Sequence, residues 1–217
     1  MNVYIFIIRP SPLPEIYISI YPIHFVLLFH RGSCFIGGNI ATQAGGKYFI
    51  KYGPFRCNVL GLEVVLPDGK LLDMRSEIRK DNTGIDLKQL FIGTEGALGV
   101  ITQANILCWK LEKFRNLFVI KTDSYEKVMR IFENAKTILG RNLAAIEWMD
   151  GHAYWVVQRT MKGSVINPFS SENREANHHY VFVEIQCNHD IEALENSFFT
   201  GLSEDLYEDI LKAGNEN

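Results

Sequence analysis

Arg79–Thr102 reads RKDNTGIDLKQLFIGTEGALGVIT, and three kinds of backbone follow one another within it. Asp86 to Phe91 has the composition of a short helix. Gly93-Thr94-Glu95-Gly96-Ala97-Leu98-Gly99 comes next, with glycines where the chain must turn through positive φ or approach something closely. Val100 then opens an apolar run to Leu107 that predicts a strand.

Toward the N-terminus, Val59 to Leu66 is a second strand signal, closed by Pro67-Asp68-Gly69. Proline presets the first turn angle and glycine takes the left-handed one, so Lys70 to Met74 is expected to return as the partner strand of a hairpin. Before the hairpin lies another glycine-rich stretch, Gly32 to Gly53, with paired glycines at 37–38 and 45–46 and little periodicity.

Toward the C-terminus a second unit begins near Leu111. Asn116 to Lys121 predicts a strand, and Asp123 or Ser124 caps a helix with Tyr125, Val128, Phe132, Ala135 and Leu139 on one face and Gly140 as its stop. A strand at Ala144–Trp148, a helix at Asp150–Arg159 and a polar loop at Gly163–His179 follow. The strand Tyr180–Gln186 alternates Val181, Val183 and Ile185 with Phe182, Glu184 and Gln186, the pattern of a sheet with one buried face. Helix-forming sequence then runs from Ile191 to the end, with Glu204, Asp205, Glu208 and Asp209 as a solvated acidic face. The β-α-β-α-β-α order predicts an α+β sandwich.

The 217 residues are 47 % hydrophobic and 22 % charged, with net charge −3 and a sequence pI near 6.1. That balance is ordinary for a globular chain and offers no basic face for nucleic acid. The four cysteines, Cys34, Cys57, Cys108 and Cys187, form no C-x-x-C pair. They fit neither a zinc site nor a disulfide framework, and read as buried free thiols.

Residues 1–30 differ from the rest. They carry only Arg9 and Glu15 as formal charges and four of the seven prolines: Pro10, Pro12, Pro14 and Pro22. The apolar run between Glu15 and His24 is too short to span a bilayer, and the segment fits neither a secretory signal nor a mitochondrial presequence. We expect residues 1–31 to be a segment standing in place of family sequence, with a membrane-dipping anchor as the second reading.

Neither glycine cluster is a G-x-G-x-x-G after a strand. Neither is a P-loop, since Ala41 stands where the upstream glycine belongs and Tyr48 follows Lys47. By pattern alone the clusters are either tight turns in a β-rich domain or backbone cradles for a large planar ligand. Three ordered motifs bear on that choice. Gly32-Ser33-Cys34-Phe35-Ile36-Gly37-Gly38-Asn39-Ile40-Ala41-Thr42-Gln43-Ala44-Gly45-Gly46, the hairpin from Val59 to Gly69, and the opening block Arg79–Thr102 together closely resemble the FAD-linked oxidase family, of the vanillyl-alcohol oxidase type of fold. Within it the third block is most similar to the D-2-hydroxy-acid dehydrogenase branch, which acts on D-2-hydroxyglutarate, D-lactate or glycolate. The resemblance is strong over residues 32–110 and weak to about 200.

The resemblance implies an α+β protein: a partial FAD-binding domain of the PCMH type at 32–110, then part of an α+β substrate (cap) domain at 111–217. It implies FAD as cofactor, held largely by main chain, with Ser33, Cys34, Gly37, Gly38, Asn39, Thr42, Gln43, Ala44 and Gly45 on one side. Glu95, Gly96, Leu98, Gly99, Val100 and Ile101 lie on the other. The implied reaction is oxidation of a D-2-hydroxy acid, D-2-hydroxyglutarate first, to the 2-oxo acid by hydride transfer to flavin, with mitochondrial location and an electron-acceptor protein as further partner. Gln43 stands where the family has Asn, and Ile85 where it has an aromatic. An upstream pyrophosphate loop and the downstream H-x-H-x-G-D-G-N motif, which binds a divalent metal such as zinc, have no counterpart here. His178, His179 and His189 do not replace it, and no catalytic residue or metal ligand is assigned. The expectation is therefore a truncated chain, inactive alone. A non-catalytic remnant serving as an interaction module is the alternative.

Overall fold

The computed structural model describes residues 4–8, 23–24, 35–110, 112–160 and 178–213. They fall into two compact units that divide between Leu111 and Glu112.

The first unit is built on β3 (Val59–Val65), which pairs antiparallel with β4 (Leu71–Met74) on one side and with the long strand β5 (Val100–Lys110) on the other. The Pro67-Asp68-Gly69 turn forms as its chemistry requires: Gly69 takes φ 82, and the Leu66 amide donates to the Lys70 carbonyl at 2.9 Å. Beyond β5 the order continues with β1 (Tyr4–Ile8), and the two-residue β2 (Ile23–His24) also pairs with β5. The compositional break near Arg31 is thus not a boundary of the sheet, because residues on both sides of it contribute strands.

The glycine-rich stretch is more regular than its sequence suggests. It forms helices α1 (Ile36–Ala41) and α2 (Phe49–Tyr52). Ile36 and Ile40, one turn apart, are both buried, and they anchor α1 on Leu62, Val64, Ala104 and Ile106 of the sheet. Burial of that i, i+4 pair outweighs the poor helix propensity of the glycines between them. The helix expected at 86–91 is a 3-10 turn over Leu87–Leu90.

The second unit is a four-stranded antiparallel sheet in the order β7-β8-β6-β9. Its strands are β6 (Phe114–Thr122), β7 (Leu143–Asp150), β8 (His179–Cys187) and β9 (Asp209–Ala213). Helices α3 (Tyr125–Leu139) and α5 (Ile191–Gly201) pack with one face, around Phe118, Ile120, Ile131, Val183, Ile185 and Phe198. Ser124 caps α3 by accepting from the Lys127 amide, and Gly140 stops it at φ 51. The buried stripe of α3 is Val128, Ile131, Ala135 and Leu139; Tyr125 is exposed, so the expected face is rotated toward Ile131. Helix α4 (Gly151–Thr160) sits on the other face, with Tyr154 stacked on Tyr180 at 3.9 Å between ring centres.

Strand β8 is buried on both faces toward its C-terminal end: Glu184 and Gln186 are as buried as Ile185, and Gln186 Nε2 donates to Glu184 at 2.7 Å. A central strand with hydrogen-bonded polar residues on its second face cannot be told from an amphipathic one by alternation alone. The helix from Ile191 does not reach the end; it stops at Gly201, where a Cβ would lie 2.3 Å from Ile138 Cδ1. After a 3-10 turn at Glu204–Leu206 the chain returns as β9 along β6. Glu204, Asp205, Glu208 and Asp209 are consequently no helix face. Glu208 lies 3.3 Å from Lys121 Nζ and 3.1 Å from His178 Nε2, and Asp205 pairs with Arg130. The expected polar loop falls mostly outside the described residues, and His179, placed in it, begins β8.

Candidate functional site

The two glycine segments meet. The Gly93 amide donates to the Ile40 carbonyl at 3.2 Å and the Glu95 amide to the Ala41 carbonyl at 2.9 Å, tying the 93–99 turn to the end of α1. Glycine is needed twice in that turn, at Gly93 (φ 84) and Gly96 (φ 85), and Glu95 between them also holds a positive φ of 53. The turn then enters β5 so tightly that a Cβ on Gly99 would stand 2.7 Å from Val64 Cγ1 and 2.8 Å from the Val65 carbonyl oxygen.

Between α1, the turn and the first half of β5 lies an open cleft of about 310 Å³. Phe35, Ile36, Gly37, Gly38 and Ala41 line one wall, with Glu95, Gly96 and the run Gly99–Ala104 completing it. A Cβ on Gly37 would come within 3.2 Å of the Ile101 carbonyl oxygen, whereas one on Gly38 or Gly96 would meet nothing within 4 Å. Strand β1 pairs with β5 from Cys108 to Ala104, and the cleft begins where that pairing ends. Val100 and Leu98 leave large apolar side chains exposed beside it. Glu95 is the one ionisable residue among those lining it, so the cleft is mostly backbone and apolar surface.

The expected site residues divide accordingly. Gly37, Gly38, Glu95, Gly96, Gly99, Val100 and Ile101 come together on the cleft. Thr42 spends its hydroxyl on the Gly38 carbonyl at 2.9 Å, at the end of its own helix. Gln43 accepts from Arg56 Nη2 at 2.5 Å and holds φ 49. Among residues other than glycine, Asn, Asp and His take such a left-handed backbone more readily than Gln. Ala44 closes the turn by donating to the Asn39 carbonyl, and the Nδ2 of Asn39 is buried with no hydrogen-bond partner. Asn39, Ala44, Gly45 and Leu98 flank the cleft in sequence without lining it; Ser33 and Cys34 lie outside the described residues.

Sequence reasoning missed Phe35, Ile36, Ala41, Thr102, Gln103 and Ala104 as lining residues. The apolar ones look like core, and nothing local marks which end of a long strand is left open. Behind Thr102 and Gln103 stands Glu63, whose carboxylate accepts from both, with Arg75 beside it. Asp73 binds the same Arg75 through hydrogen bonds that lower its pKa to about 2. Among the described residues no three His, Cys, Asp or Glu side chains come together as metal ligands, and no helix is long and apolar enough to cross a membrane.

Residues 26–75 match the FAD binding domain family. The chain is 43 % identical over 169 residues to the mitochondrial D-2-hydroxyglutarate dehydrogenase of Rattus norvegicus, an alignment covering 76 % of this chain and 30 % of the rat protein. It is 48 % identical over 128 residues to the Bos taurus counterpart, covering 59 % and 24 %. A D-2-hydroxyglutarate–pyruvate transhydrogenase of Saccharomyces cerevisiae is 40 % identical over 154 residues, covering 71 % and 30 %. The chain thus spans about a third or less of the length of these relatives. Among solved structures, an alkyldihydroxyacetonephosphate synthase superposes with a TM-score of 0.70 at 18 % identity, covering 93 % of this chain and 39 % of that one; this likeness concerns the fold alone.

Proposed function

We propose that this chain, which is homologous to the FAD-dependent D-2-hydroxyglutarate dehydrogenases and carries sequence of their FAD binding domain, forms one wall of a flavin site serving oxidation of a D-2-hydroxy acid. The observation that carries the reading is the junction of Ile36–Ala41 with Gly93–Gly99 into a glycine-lined cleft. The cleft fits such a group. Gly38 and Gly96 leave room for a flat ring system or pyrophosphate to reach the backbone, and added Cβ atoms would occupy that space, while Gly37 lets α1 close on the Ile101 carbonyl.

When bound, FAD supplies the hydride acceptor for conversion of the hydroxy acid to its 2-oxo acid. This chain's residues bind and orient. Main-chain groups of Gly37, Gly38 and the 95–101 run, apart from the Glu95 and Ala97 amides, offer hydrogen bonds, and the exposed Val100 side chain covers apolar ring edge at about 25 cal/mol per Å² removed from water, with Leu98 beside the cleft. Asn39, Thr42, Gln43, Ala44 and Gly45 fix the turn that carries the cradle, and Ser33 and Cys34 precede it in the sequence. No catalytic base is assigned to this chain, so it is read as binding flavin without turning over substrate by itself. D-2-hydroxyglutarate is the first substrate of the whole protein, D-lactate the second, with mitochondrial location and an electron-acceptor protein as partner.

The test is a visible spectrum of the purified chain after incubation with FAD and gel filtration, followed by dye-linked turnover of both hydroxy acids. Retained flavin bands without turnover are expected. A colourless protein overturns the cleft as a sufficient flavin site, and turnover overturns the assignment of no base.

A further inference from the structure

We propose that Glu63 is a positioning residue that sets the shape of the cleft by clamping a bulge in β5; only the identity of the occupant rests on the flavin reading above. In the β3–β5 ladder Glu63 opposes Gln103, and the next pair is Val64 with Ile101, which leaves Thr102 as an extra residue. A bulge of this kind disrupts the ladder locally and re-aims the side chains around it. Here the bulged segment lines the cleft through Ile101, Thr102 and Gln103. The Ile101 carbonyl, 3.2 Å from where a Gly37 Cβ would stand, sets the gap to α1.

Glu63 is buried on the central strand, at 7 % exposure. Its Oε1 accepts from the Thr102 hydroxyl at 2.8 Å and from Gln103 Nε2 at 3.0 Å. The Gln103 Oε1 accepts in turn from Arg75 Nη1 at 2.9 Å, and Arg75 Nη2 lies 3.7 Å from Glu63 Oε2. Every group facing the carboxylate in this ring is a donor. The carboxylate accepts from Thr102 and Gln103 together, the Thr102 hydroxyl being shared with the Glu63 carbonyl at 3.2 Å, and both ends of the Gln103 amide are thereby fixed. A sheet needs no buried carboxylate for stability, since an apolar residue there is often as good. The ring is arranged instead to hold Thr102 and Gln103 in one register.

The test compares the full chain with Glu63→Gln and Thr102→Val. Glutamine keeps the shape but turns an amide donor toward Arg75 or toward the two cleft residues. In ligand-free protein, amide exchange at Ile101–Ala104 should quicken about tenfold or more, while Ile106–Lys110 changes little. With FAD, the Kd should rise by about the same factor, and the bound flavin's visible band structure should shift at saturation. Uniform acceleration along β5 would mean a purely structural role and overturns the proposal, as does an unchanged pattern. If the wild-type chain binds no FAD, the flavin reading fails while the exchange pattern still decides the clamp. If Glu63→Gln does not fold, Thr102→Val is expected to show the same localised pattern more weakly, and its absence is equally decisive.

Discussion

Replacing Gly38 by alanine separates what α1 does for the fold from what it does for the cleft. Gly38 sits inside α1 with nothing within 4 Å of its Cβ position and no positive φ, so alanine fits without strain. Alanine in a helix interior is favoured over glycine by about 0.5–1 kcal/mol. For a unit of this size that corresponds to a rise in Tm of about 2–8 °C. Yet Gly38 lines the cleft, and a methyl group there holds any ligand off the backbone. One or two main-chain hydrogen bonds at about 0.5–1.5 kcal/mol each would be lost, weakening FAD binding roughly threefold to a hundredfold. Scanning fluorimetry of the ligand-free protein and a flavin fluorescence titration read the two effects separately. A lowered Tm would refute the account of α1, and unchanged FAD affinity would refute the placement of the ligand.

Gly99→Ala should act in the opposite sense on the fold. Its Cβ would meet Val64 and the Val65 carbonyl well inside contact distance, so a loss of about 1–3 kcal/mol is expected in denaturant unfolding. Burial pushes the Cys108 thiol up to about 11, which keeps it neutral at pH 8, while Cys57 is exposed. Peptide mapping after iodoacetamide at pH 8 should find Cys57 alkylated and Cys108 intact. Asp73 has its pKa lowered from 3.8 to about 2 by Arg75. A carboxylate depressed in the folded state contributes stability above its unfolded pKa and loses it as pH falls through the folded one. Asp73→Asn should therefore flatten the acid limb of a melting profile between about pH 4 and pH 2, and an unchanged slope would count against that ion pair.

What could be read from the sequence follows how local each determinant is. The β3–β4 hairpin was legible because Pro67, Asp68 and Gly69 specify their turn within three residues. Helix α3 was legible because Ser124 and Gly140 mark both ends. The helix at 36–41 was hidden, since Gly37 and Gly38 argue against helix and only burial of Ile36 and Ile40 on a distant strand overrides them. Strand β9 was hidden for the same reason: residues 209–213 acquire their conformation from β6. The site shows the same division. Both glycine clusters stand out in the sequence, but their meeting through Gly93 and Ile40 does not. The bulge that puts Thr102 and Gln103 in front of Glu63 is a property of pairing between strands some forty residues apart.

The threading of the second sheet also governs when it can form. Strand β6 is among the first elements of its unit to be made, yet its neighbours are β8 and, last of the described strands, β9, whose Ala213 pairs with Leu117. At a synthesis rate of about 5–20 residues per second, one edge of β6 waits roughly 5–20 s for its partner. During that interval the nascent chain exposes an unpaired apolar strand, a template for wrong pairing. Ribosome-bound chains stalled before residue 209 should accordingly be held by chaperones, and release should follow once β9 has emerged.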